Sequence, residues 1–113
     1  MNESILTSIK KMLGIAEDYE HFDQDLIIHI NSVFMILKQL GVGPSNGFTI
    51  KDKTTNWDEF IPVGYNDFES VKTFIYLKVK LIFDPPLSSV VTESIKQMID
   101  EFEWRLNCEA ETP

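Results

Sequence analysis

His21, Asp25 and His29 follow one another at i, i+4 and i+8. On one helical face that spacing can bring imidazole and carboxylate groups onto a divalent metal. The chemistry needs one continuous helix, and His21 falls in the acidic connector Ala16-Glu17-Asp18-Tyr19-Glu20-His21-Phe22, ahead of the helix start expected at Asp23 or Gln24. No third strong ligand cluster accompanies them, so no metal site is assigned. His29 is read as flanking the core and His21 as surface. The glycine-rich run Gly41-Val42-Gly43-Pro44-Ser45-Asn46-Gly47 lacks the lysine and the following helix of a phosphate-binding loop. Carboxylates are abundant, but spacing singles out no general acid and base pair. Cys108 is the single cysteine, so an internal disulfide is excluded. It reads as a small residue near a helix end rather than as a nucleophile. No catalytic, cofactor-binding or metal-ligating residue is assigned, and the chain is read as a non-enzyme without cofactors.

The bulk properties agree with a binding or structural role. At 113 residues the chain fits one domain, 1–113, able to bury a core without disulfides or metals. Hydrophobic residues make up 43%, which argues against overall disorder. Eighteen acids against ten bases give a net charge of −8, which opposes tight binding to nucleic acid phosphates or to an anionic membrane. It favours basic partners, or a surface that nucleic acid slides past. A helix-turn-helix reader is disfavoured because the helices are long and acidic and the basic pair Lys51 and Lys53 lies in a loop. Met1-Asn2-Glu3-Ser4 carries an acid where a secretory signal has bases, and no apolar run approaches the ~20 residues that span a bilayer. The expected setting is inside a cell, or in a particle assembled there.

Periodicity predicts an all-α fold, a small bundle of about four helices. The first covers Glu3 to Leu13, capped by Asn2 or Ser4, striped by Ile5, Ile9, Met12 and Leu13, and stopped by Gly14. The second runs from Asp23 or Gln24 to Leu40, with Asp23 as cap and Gly41 beyond its end. Leu26, Ile30, Val33, Leu37 and Leu40, with Phe34 beside them, face inward, while Ile28 and Met35 fall on the opposite side. A long loop from Gly41 to Tyr65 carries the aromatics Phe48, Trp57 and Phe60, which should anchor it to the body or to a neighbour. It has room for a short hairpin from Phe48 to Trp57, or for a helical turn at Trp57-Asp58-Glu59-Phe60.

The third helix runs from Asn66 or Asp67 to Phe83 and is stopped by Asp84-Pro85-Pro86. Glu69, Lys72, Thr73, Tyr76 and Lys80 make a narrow polar strip, and the remaining arc is apolar, so contacts on several sides are expected. Lys78 lies inside that arc. It must either snorkel to water or meet a carboxylate, with Asp84, Asp100 and Glu103 as candidates, inside the subunit or across a boundary. The fourth helix follows Ser88 or Ser89 and reaches about Asn107, with Val91, Ile95, Met98, Phe102 and Leu106 as its stripe and Ile99 beside it. It should pair antiparallel with the third. The tail 108–113 is short, acidic and expected to be mobile.

Leu77-Lys78-Val79-Lys80-Leu81-Ile82-Phe83-Asp84-Pro85-Pro86, followed by Ile95 and by Glu103-Trp104-Arg105-Leu106-Asn107, resembles the head–tail connector proteins of tailed bacteriophages, also described as head-completion or DNA-packaging adaptor proteins. The resemblance extends more weakly to the N-terminal helices and to Asn56-Trp57-Asp58-Glu59-Phe60. It implies a small helical structural subunit of a phage or prophage, found in the virion neck and assembled in the host cytoplasm. It further implies a homo-oligomeric ring of about a dozen copies below the portal protein, contacting neck or tail-completion proteins. DNA would pass through that ring without sequence-specific binding, and no membrane is involved. Candidate subunit-interface or assembly residues are Ile28, Met35, Trp57, Phe60, Lys78, Asp84, Trp104 and Arg105. The competing reading is a small acidic phage-encoded regulatory module, acting as monomer or dimer on a basic partner. It would leave virion structure intact when removed.

Overall fold

The computed structural model describes residues 3–62, 65 and 67–111. Five helices lie among them: α1 (Ile5–Leu13), α2 (Asp23–Gln39), α3 (Trp57–Phe60), α4 (Phe68–Phe83) and α5 (Ser89–Glu111). The fold is all-α, as the periodicity predicts. The helix beyond the expected four is α3, the helical turn anticipated at Trp57, and no hairpin forms among the described residues.

Local chemistry sets most boundaries. Ser4 caps α1, its hydroxyl accepting from the Thr7 amide at 3.2 Å. Gly14 ends α1 at φ 81°, a left-handed conformation that glycine adopts without steric cost. The alternative caps Asn2 and Asn66 lie outside the described residues. After α2, the Gly41 and Val42 amides donate back to Lys38 and Leu37 carbonyls, satisfying the helix end. Ser88 caps α5 through the Val91 amide at 3.4 Å, and α5 runs past Asn107 to Glu111.

The start of α2 corrects one expectation. Phe22, not Asp23, occupies the cap, and its side chain makes no capping bond. Asp23 is the first helical residue, and its carboxylate lies 2.9 Å from the Lys10 ammonium. Near the positive end of α2 that carboxylate is also well placed. Lys10 is 2% exposed. Its ammonium donates to the Glu17 carbonyl at 2.9 Å and to the Tyr19 carbonyl at 2.7 Å. A buried cation is tolerable when it is paired and hydrogen-bonded. Here that requirement folds the connector back over α1.

Helix α4 is the central element, packed against α1, α2 and α5. Val71, Phe74, Ile75, Leu77 and Val79 are buried on it, each worth about 1.5–3 kcal/mol of apolar burial. Ile82, expected in the same arc, is exposed near the C-terminal end of α4. Helix α5 closes the core with Ile99 and Leu106, with Ile95 and Phe102 packed beside them. Val91 and Met98, expected on that inward stripe, are exposed. The buried phase is therefore Ile95, Ile99, Phe102 and Leu106, a 4-3-4 spacing that makes a narrow inward stripe.

The loop between α2 and α3 is pinned at three places. Phe48 and Phe60 close on Phe34 of α2, with ring centroids 5.3 and 4.6 Å from it. Gly43, at φ 89°, lies against the Phe60 ring where a Cβ would collide, so this position demands glycine twice over. The Asn31 side chain on α2 pairs with Ile50 as a second backbone would, accepting from its amide at 2.8 Å and donating to its carbonyl at 3.0 Å. At the loop's outer bend the Thr54 hydroxyl, and then its amide, donate to Asp52 and hold that carboxyl below its usual range, with Lys51 adding to the effect. The contribution of this bend is complete above the ordinary aspartate range and is lost as pH falls through the depressed value.

Asn31 provides a direct check on the pinning. Replacing it with Ala leaves the Ile50 amide and carbonyl, in a residue 1% exposed, without partners. The expected loss is about 1–3 kcal/mol, read as a lower denaturant midpoint. The loop amides should exchange faster while α4 retains its protection. Unchanged exchange at Ile50 would refute the pinning role.

Candidate assembly interface

The sequence-derived candidates divide into three groups. Trp57 is fully buried and Phe60 is 4% exposed. Both anchor the loop to the body of their own chain. The Trp57 indole N–H donates to the Ser8 hydroxyl at 2.9 Å, and that hydroxyl donates to the Ser4 carbonyl at 2.7 Å. Phe68 meets the indole edge-on at 5.5 Å. On either side, the Ile5 amide donates to Thr55 and the Trp57 amide to Glu3, making an antiparallel bridge between Ser4 and Asn56. The Glu59 carboxylate accepts from the Asn56 amide at 2.8 Å and starts α3.

Lys78 is half-buried, and its ammonium lies 5.8 Å from the centre of the Phe74 ring. This matches the snorkelling alternative with a cation–π contact added. None of the three carboxylates considered for it pairs with it. Asp84 instead meets Lys80 at 3.0 Å, one turn away. Arg105 pairs with Glu101 at 2.7 Å on the exposed side of α5. Pairs of this kind are worth little in water.

The remaining candidates form surface. Ile28 is 61% exposed and Met35 is 66% exposed. Seven residues apart, they lie within about 20° of one another on the outer side of α2. Beside Met35, an open cleft of ≈ 300 Å³ separates α2 from the loop, lined by Phe34, Lys38 and Phe48 among others. Trp104 is 69% exposed on α5. It borders a shallow groove with Leu40, Asp100 and Glu103. Sequence reasoning missed one further surface: Leu87, Val90, Val91 and Ile82 leave an apolar tip at the α4–α5 turn. The signal was present in Leu87-Ser88-Ser89-Val90-Val91, where three apolar residues precede the first α5 residue packed on the core, Ile95.

His21 is exposed, ahead of α2, and meets the Phe22 ring edge-on at 4.9 Å. It does not share a helical face with Asp25 and His29. Among the described residues no group of three or more His, Cys, Asp or Glu side chains is placed to hold a metal. No helix among them is long and apolar enough to cross a membrane.

A small helical body with exposed apolar surface on several elements has the form of a binding or structural module. Its particular family follows from comparison: the family model described as phage connector protein matches residues 5–113, and the chain belongs to that family, the head–tail connectors of bacteriophages. Its partners are accordingly other head and tail proteins of a phage particle. No curated protein and no solved structure matches the chain significantly.

Proposed function

We propose that the chain forms a closed ring of about a dozen copies below the portal protein, in the virion neck, after assembly in the host cytoplasm. The ring extends the DNA channel and presents a docking surface to neck or tail-completion proteins. The observation that carries this reading is the presence of separate exposed apolar surfaces on different elements: Ile28 and Met35 on α2, Trp104 on α5, and Leu87 with Val90 at the α4–α5 turn. A ring subunit needs two unlike side faces, because a head-to-tail contact joins different patches. A third patch is then available for the next protein in the neck. The net charge of −8 supports passage of DNA without retention, since like charge opposes binding to phosphates.

Electron microscopy of particles made when the gene is disrupted tests the reading. The expected result is separate tails and heads, with DNA lost from the heads. Intact virions would reject it and leave the small acidic regulatory module as the better account.

A further inference from the structure

Building on the ring reading, we infer that Trp104 of one subunit seats in the Met35–Phe48 cleft of the next. The receiving side is already shaped. The Phe34 and Phe48 rings stand edge to face at 5.3 Å under the cleft, and the exposed Met35 side chain lines it. Methionine is adaptable and accommodates an aromatic edge well. Lys38 stands at the rim and makes no ion pair among the described residues. The inserting side is the 69% exposed Trp104 indole, bordered by Asp100 and Glu103, and neither carboxylate is ion-paired among the described residues. A cleft walled by Met35 and Phe48, with Asn46 and Thr49 as polar partners and Lys38 as its cation, thus matches an aromatic knob flanked by carboxylates.

Placement supports the match. Trp104 lies beside Leu40, and the cleft lies beside Lys38. Two residues apart on a helix, those side chains project about 200° from one another. Knob and hole therefore sit at one level, on opposite sides of the end of α2. A subunit cannot satisfy its own cleft, but repetition by rotation satisfies every copy, which is the geometry of a closing head-to-tail ring. The apolar tip at the α4–α5 turn fits less well, because the charges nearest to it, Asp84 with Lys80 and Glu93 with Lys96, already pair within the subunit. That leaves the tip for a different protein.

The test uses the full-length chain, alone and with portal rings from the same phage, followed by mass photometry and circular dichroism. Trp104→Ala should weaken subunit association by about 30-fold or more, the scale of an interface anchor, with an unchanged thermal midpoint. Lys38→Glu should weaken it too, and Asp100→Lys added to Lys38→Glu should restore it. Normal rings from Trp104→Ala, or no recovery in the double variant, would overturn this contact and leave the ring standing. Wild-type chain that never exceeds a dimer, even with portal present, would overturn both.

Discussion

Trp57→Ala should unfold most of the molecule, or bring it near that point. The indole is fully buried, donates to Ser8 at 2.9 Å and packs edge-on against Phe68. Truncating a buried tryptophan costs about 3–5 kcal/mol, against a total stability of roughly 5–15 kcal/mol for a domain. The bridge between Ser4 and Asn56 brackets the same ring, so its loss frees α1 from the loop as well. Helicity and assembly should fall together, unlike the outcome expected at Trp104, where assembly alone should fall. Trp57→Phe separates the two contributions. It keeps most of the packing and loses the N–H donor, for a smaller expected loss of about 1–2 kcal/mol. Urea denaturation of the three proteins measures both steps. A Trp57→Ala midpoint within error of wild type would contradict the packing described.

Lys10→Ala is the second large effect. Its ammonium pairs with Asp23 at 2.9 Å and donates to two main-chain carbonyls, and the side chain is 2% exposed against 16% for Asp23. Removing one partner of a buried pair leaves the other charged and unmatched, at a cost of about 3–5 kcal/mol. Replacing both partners, as Lys10→Met with Asp23→Asn, removes the orphaned charge and should recover part of the loss. A double-mutant cycle by thermal or urea unfolding gives the coupling between them. If Lys10→Ala with Asp23→Asn were as unstable as the sum of the single variants, the ion pair would contribute nothing. The destabilisation would then come from the lost bonds to the Glu17 and Tyr19 carbonyls and from the lost packing of the buried Lys10 stem.

What could be read from the sequence tracks how local the deciding chemistry is. Ser4, Gly14, Gly41 and the Pro85–Pro86 stop were legible because caps and breakers act on their own helix. The outward placement of Ile28 and Met35 was legible from phase alone. Asp23 was not, because its capping chemistry is the same whether or not a lysine thirteen positions earlier competes for the carboxylate. Trp57 and Phe60 could anchor inward or outward equally well until Ser8, Phe34 and Phe68 were brought beside them. Val91 and Met98 were misplaced because two apolar phases coexist on α5 and only the body of α4 selects between them. Asn31 gave no sequence signal, since its partners are main-chain atoms and any residue type supplies those, and two of the three partners of Lys10 are of the same kind. For the candidate site the surface residues were therefore legible, and the cleft that we propose receives Trp104 was not.

The two clasps on α1 differ in reach. The Lys10 contacts span seven and nine positions, and the indole contact spans 49. A nascent chain leaving the ribosome can close the first as soon as the connector emerges. It cannot close the second until Trp57 has been made, so α1 waits until then for its enclosure. Ile5, Leu6 and Ile9, all buried in the finished molecule, are meanwhile covered by nothing but the short clasp and whatever part of α2 has appeared. That interval is when premature association between nascent chains has to be avoided.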